Sequence, residues 1–143
     1  MMADKVLLVD DEEDFLEVMA ERMRARGFDV TTSSTASEAL EMIEKESYDA
    51  IILDFMMPAM DGFETLEAIK ERRPESQIIL LTGYATLEKG VEAMKLGATD
   101  FIEKPADLEK LTEKIKAAKT KKMLIVEKQT EKTIKKMIQR FGF

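Results

Sequence analysis

Five polar residues in this chain are of types that could carry phosphoryl chemistry if the fold brought them together: the pair Asp10-Asp11, the lone Asp54, the hydroxyl of Thr82 and the ammonium of Lys104, which precedes Pro105. A carboxylate such as Asp54 can attack phosphorus and form an aspartyl phosphate. Three carboxylates in one place repel one another unless a cation neutralises them. Magnesium suits such a cluster, because it accepts one or two carboxylates, several waters and a phosphate oxygen. Lys104 could supply a point charge to the transferred group, and Thr82 a hydrogen bond to one of its oxygens. The chain has neither cysteine nor histidine. A metal must therefore be held by oxygen, which favours magnesium or calcium over zinc, and any phosphohistidine would have to come from elsewhere.

The elements that would position these residues are legible as apolar runs. Residues 6–9, 50–53 and 78–81 are short and continuously apolar, as strands buried on both faces of a parallel sheet are. Weaker strands are expected at 29–32 and 99–102. Between them lie helical stripes: Phe15/Met19/Met23, Ala36/Ala39/Leu40/Ile43, Leu66/Ile69, Leu87/Val91/Met94 and Leu108/Leu111/Ile115, each suited to face a sheet. Gly27, Pro74 and Gly97 fall where helices should stop. Five alternating units predict an α/β, flavodoxin-like, doubly wound parallel sheet of order 2-1-3-4-5 with helices on both faces. In such sheets ligands bind beyond the carboxyl ends of the strands, where strand order reverses. Asp10-Asp11, Asp54, Thr82 and Lys104 all stand at or just past those ends.

With these residues in place, the chain resembles the receiver domains of two-component response regulators over residues 4–119. The segments that carry the resemblance are VLLVDDEED at 6–14, ILDFMMPAMDG at 52–62, LLTGYA at 80–85 and DFIEKP at 100–105. The resemblance implies that Asp54 is the phosphoacceptor, and that Asp11, with Asp10 beside it, Asp54 and the backbone carbonyl of Met56 hold Mg2+. It implies that Thr82 and Lys104 bind the phosphoryl group, that Thr82 and Phe101 move together as a switch, and that the Lys104-Pro105 bond is cis. The expected function is that of a signalling receiver, not an enzyme acting on separate substrates. It would accept a phosphoryl group from a histidine kinase or histidine phosphotransfer protein and present its fourth helix, fifth strand and fifth helix to a downstream protein partner.

Other readings compete residue by residue. Asp10 with Glu13 could be a capping box, Thr82-Gly83 a turn, Lys104 a solvated charge, Phe101 plain core, and Glu12-Glu13 and Glu71-Arg72-Arg73 solvated faces. Met56, Met57 and Met60 could suggest a soft-metal site, but no Cys or His accompanies them. A haloacid-dehalogenase-type phosphatase also uses a strand-terminal Asp with magnesium, but needs a second Asp two residues on, where this chain has Met56. A flavodoxin would need a Ser/Thr/Gly-rich phosphate loop after the first strand, where Asp10-Asp11-Glu12-Glu13 would repel a phosphate. A scaffold-only receiver would be expected to lack some of the site residues, and all are present.

The net charge of −7 is unevenly distributed, with residues 121–143 at +5 and residues 1–120 at −12. The acidic body should repel nucleic acid. No apolar run approaches the roughly 20 residues that span a bilayer, and the N-terminus lacks a signal-peptide pattern, so a cytoplasmic protein is expected. Residues 120–143 form a basic extension, too short for a winged-helix or helix-turn-helix domain, so DNA binding by this chain alone is not expected. Met123, Val126, Thr130, Ile134, Met137 and Phe141 recur at near-heptad spacing. They predict an amphipathic helix that serves either as a linker or as a surface packing on a second subunit, in a homodimer, or on another partner.

Overall fold

The computed structural model describes residues 3–57, 60–83, 87–104 and 107–141. Five strands, β1 (Lys5–Val9), β2 (Asp29–Ser33), β3 (Ala50–Asp54), β4 (Ile78–Thr82) and β5 (Asp100–Glu103), form one sheet in which every pairing is parallel. They alternate with helices α1 (Glu13–Ala25), α2 (Ala36–Lys45), α3 (Gly62–Arg72), α4 (Leu87–Lys95) and α5 (Leu108–Phe141). The strand order is β2-β1-β3-β4-β5, the flavodoxin-like order expected of the sequence. A short antiparallel ribbon pairs Met56 with Asp61 and Met57 with Met60 just after β3. None of the helices among the described residues is long and apolar enough to cross a membrane.

The continuous apolar runs are explained by helices on both faces of the sheet. Successive strand residues point to opposite faces. Val6, Leu8, Ile52, Ile79 and Leu81 pack with α1 and α5, whereas Leu7, Val9, Ile51, Leu53 and Leu80 pack with α2, α3 and α4. All five residues of β3 are buried. Truncating one of these side chains to alanine, Leu53 for example, would cost about 2–5 kcal/mol. The scaffold beneath the candidate site is therefore rigid.

Local chemistry ends the helices where the sequence suggested. Gly27 and Gly97 follow α1 and α4 with φ of +94° and +105°, the left-handed conformation that closes a helix and disfavours a side chain. Helix α3 stops at Arg72, one residue before the position preceding Pro74. Strand β2 runs one residue further than expected, to Ser33, and β5 is displaced by one residue because Thr82 pairs with Glu103. Gly62 is the first residue of α3, and Asp61 caps that helix by accepting from the Phe63 N–H at 2.9 Å. A Cβ on Gly62 would lie 2.6 Å from Cδ2 and 2.7 Å from the carbonyl oxygen of Phe55. A bare backbone is thus required for α3 to start against the residue that follows Asp54.

Candidate functional site

Strand order reverses between β1 and β3, and the carboxyl ends of these strands set the acidic residues side by side. Carboxylate oxygens of Asp10, Asp11 and Asp54 all lie within 4.8 Å of one another. Asp10 is fully buried and Asp54 is 3% exposed, while Asp11 is exposed. At this spacing two carboxylates repel by roughly 3–4 kcal/mol at an effective dielectric constant of about 20. Asp10 directs one oxygen to its own chain, Oδ1 accepting from the Glu12 N–H at 2.9 Å. That bond replaces the capping box considered for Asp10 and Glu13, since α1 starts at Glu13 after a Glu12 with no side-chain cap. The other oxygen, Oδ2, is buried, has no hydrogen bond of good geometry among the described residues, and faces the Lys104 ammonium at 2.8 Å.

Lys104 acts as the cation within this cluster. Its Nζ stands 2.8 Å from Asp10, 3.5 Å from Glu12 and 3.7 Å from Asp54, and 4.6 Å from the ring centre of Phe15. Burial alone would lower its pKa, but the hydrogen bond and charge of Asp10, with the charges of Asp54 and Glu12, outweigh burial and raise it above the ordinary lysine value. The ammonium is held firmly in its charged form. The solvated-lysine reading therefore fails.

Thr82 ends β4, is 8% exposed, and has its carbonyl bonded to the Lys104 N–H at 2.8 Å. The same backbone link that extends the β4–β5 pairing thus ties the hydroxyl residue to the ammonium residue. Phe101, on β5, pairs in register with Leu80 and is half-buried against α4, where its ring edge approaches Gly90. The Met56 backbone lies in the ribbon immediately after β3. Pro105, and with it the expected cis bond, lies outside the described residues.

Three contributors escaped the sequence reading. Glu12 belongs to the solvated face expected at Glu12-Glu13, and although its side chain is 67% exposed, its carboxylate reaches Lys104. Phe15 was assigned to the core stripe of α1 and also presents its ring to Lys104. Lys89 of α4 places its ammonium 5.6 Å from the ring centre of Phe55, the neighbour of Asp54. Adjacency to the carboxylate pair could have flagged Glu12. Nothing local in the sequence marks Lys89.

The donor set fits a hard divalent cation. Three carboxylates converge, one buried oxygen has only an ammonium for company among the described residues, and Cys and His are absent from the chain.

Comparison with known proteins gives a family for this architecture. Residues 6–116 match the family model described as the response regulator receiver domain. The chain is 38% identical over 107 residues to the photosynthetic apparatus regulatory protein RegA of Rhodobacter capsulatus, covering 75% of this chain and 58% of RegA. It is 38% identical over 115 residues to a putative response regulator, NtrX-like, of Rickettsia bellii, covering 79% of this chain and 24% of the relative. The chain thus spans about half of one relative and a quarter of the other. Among solved structures, a response regulator receiver domain protein from Clostridium thermocellum superposes with a TM-score of 0.81 at 32% identity, covering 85% of this chain and 98% of that one. With its sheet order and its strand-end cluster, this chain belongs to the response regulator receiver domains of two-component signalling systems.

Proposed function

We propose that the protein is a phosphorylation switch whose phosphoacceptor is Asp54. The observation that carries this reading is the meeting of Asp10, Asp11, Asp54 and Lys104 at the carboxyl ends of β1, β3 and β5, with Thr82 bonded to Lys104 through the backbone. A carboxylate oxygen of Asp54 attacks the phosphorus of a phosphohistidine on a kinase or phosphotransfer protein. The O–P bond forms as the N–P bond breaks, and the departing imidazole takes up a proton. Lys104, already 3.7 Å from Asp54, needs only a small displacement to pair with the transferred oxygens. The Thr82 hydroxyl, on the neighbouring strand, donates to another of them. Asp10, Asp11, Asp54 and the Met56 carbonyl would hold Mg2+, which would supply positive charge to the acidic cluster and to the phosphoryl group.

Movement of Thr82 and Lys104 toward the phosphoryl group pulls on the end of β4 and on β5, and so on Phe101 and α4. The surface of α4, β5 and α5 then changes its affinity for a downstream protein. Val91 and Met94, expected to face the sheet, are instead 46% and 45% exposed on α4, where Ala93 is buried in their place, and offer that partner an apolar contact. Such a switch would operate in the cytoplasm, where kinases of this class deliver phosphoryl groups. It is not a turnover enzyme, because position 56 lacks the acid/base carboxylate that a phosphatase would use.

Mass spectrometry after incubation with acetyl phosphate and Mg2+ tests the assignment. The natural chain should gain one phosphoryl group and Asp54→Asn none. A natural chain that gains none would reduce the domain to a scaffold.

A further inference from the structure

Helix α5 is 34 residues long, but only its first part packs on the body. Leu111, Ile115 and Ala118 are buried, and one turn on the Lys122 ammonium bonds the Ser47 hydroxyl and the Tyr48 carbonyl. Ile125 is half-buried, and every described residue from 126 on is exposed. The face that would continue the packed stripe is polar, with Gln129, Lys132 and Lys136. A second stripe, turned roughly a third of the way round the helix, carries Met123, Leu124, Val126, Ile134, Met137, Ile138 and Phe141, each between 42% and 61% exposed. Leu124 and Ile138 widen the stripe beyond the positions that the spacing had predicted.

We propose that this stripe pairs with the same stripe of a second copy, in an antiparallel two-helix dimer whose two-fold axis lies near residue 132. The pattern is self-complementary only in that direction once charge is counted. Antiparallel alignment sets Met123 across from Phe141, Leu124 from Ile138, Val126 from Met137 and Ile134 from the methyl group of Thr130. Residues 123–131 carry a net −1 and residues 132–141 a net +4. A parallel pair would place +4 beside +4. The antiparallel pair places each +4 half against the other helix's −1 half, brings Glu131 beside Lys135 of the other copy, and turns the basic end toward a body of charge −12. A membrane surface suits this helix less well, because Glu127 and Glu131 fall within the Leu124/Ile138 side of the apolar stripe, where an antiparallel partner brings lysines but anionic headgroups would repel them. The pairing is isologous and closed, so it stops at two copies. It is independent of phosphorylation chemistry at Asp54.

The chain has no cysteine, so introduced cysteines report without background. Sedimentation of the full 143-residue chain across a concentration series should show a monomer–dimer equilibrium. Ile134→Asp should weaken it at least about a hundredfold, while leaving the unfolding midpoint of the body unchanged at concentrations where both chains are monomeric. Under mild oxidation a mixture of Met123→Cys and Phe141→Cys chains should yield the mixed disulfide, and Met123→Cys alone should yield none, its two copies lying about 27 Å apart. A disulfide dimer of Met123→Cys alone would overturn the antiparallel arrangement. A chain that stays monomeric at every concentration would overturn the proposal outright, and binding of that monomer to vesicles of anionic lipid would show the stripe to be a membrane contact instead.

Discussion

The ring of Phe101 rests against the bare backbone of Gly90: a Cβ there would stand 3.2 Å from Cε1 and 3.3 Å from Cζ. The proposed switch residue on β5 therefore has a notch on α4 in which to sit. Gly90→Ala should strengthen the helix by up to about 1 kcal/mol, partly offset by a ring displacement of a few tenths of an ångström. We expect unfolding free energy to change by no more than about 1 kcal/mol while the Phe101 ring resonances shift, both before and after addition of beryllofluoride. Ring resonances that do not move would show that the notch has no part in positioning Phe101.

At the acidic cluster, the proposed Mg2+ would compete with Lys104 for the same carboxylates. Asp11→Ala should weaken Mg2+ binding by about tenfold or more, as measured by calorimetry or by amide shifts of the β1 and β3 ends. Lys104→Met removes the internal cation and should leave Mg2+ affinity equal to or above that of the natural chain. The same variant should still accept some phosphoryl group from acetyl phosphate but lose most of the response over α4 and β5. Equal Mg2+ affinity in the natural chain and Asp11→Ala would remove Asp11 from the metal site.

Thr82→Ala separates acceptance from response. The hydroxyl is small and stands at a strand end whose backbone pairing survives the change, so Asp54 should still be phosphorylated. Amide exchange over Leu87–Lys95 and Asp100–Glu103 should then respond to phosphorylation less than in the natural chain. An undiminished response would move the switch away from Thr82.

Just before the amino end of β4, the Lys70 ammonium donates to the Ser76 carbonyl at 2.7 Å. Burial, and then the charge of Lys121, lower its pKa from 10.5, against a smaller opposing effect of Glu75. An unfolded chain therefore binds more protons at Lys70 than the folded chain does in the window just below pH 10.5. In that window the contribution of Lys70 makes stability rise with pH. Denaturant unfolding between about pH 8 and 10.5 should show a less positive slope in Lys70→Met than in the natural chain. Identical slopes would mean that Lys70 keeps its ordinary proton affinity.

The last contacts of α5 with the body fix where truncation begins to matter. Removing residues 126–143 takes away only exposed side chains among those described. The unfolding free energy of the monomer should stay within about 0.5 kcal/mol. A cut before Lys122 also removes its bonds to Ser47 and Tyr48 and should lower stability measurably. Thermal unfolding of the two truncations at equal, dilute concentration compares them directly.

Strand identity and order were legible because β1, β3 and β4 are buried on both faces, which leaves no room for polar residues in the runs of Val, Ile and Leu. The strand ends were legible for the opposite reason: Asp10, Asp54 and Thr82 interrupt those runs abruptly. Glu12 and Lys89 were not, since a long charged side chain can reach several places and only the packing of α1 and α4 decides which. The need for glycine at position 62 was not legible, because the constraint comes from Phe55 seven residues earlier, through space. Leu124 and Ile138 fell off the heptad template, which is narrower than the apolar stripe of a straight helix.

The unbroken course of α5 makes it a mechanical element. It starts four residues after Lys104, is gripped at Lys122 by Ser47 and Tyr48 just before the amino end of β3, and extends beyond that grip for nineteen further residues. At 1.5 Å per residue the free arm is about as long as the packed part is short, roughly 28 Å against 22 Å. A tilt of about 5° around the grip, driven from the Lys104 end, would swing the tip by roughly 2–3 Å in the opposite sense. A displacement of roughly 2 Å at the start of α5 would thus arrive at residue 141 enlarged and reversed, as from a lever with its fulcrum at Tyr48.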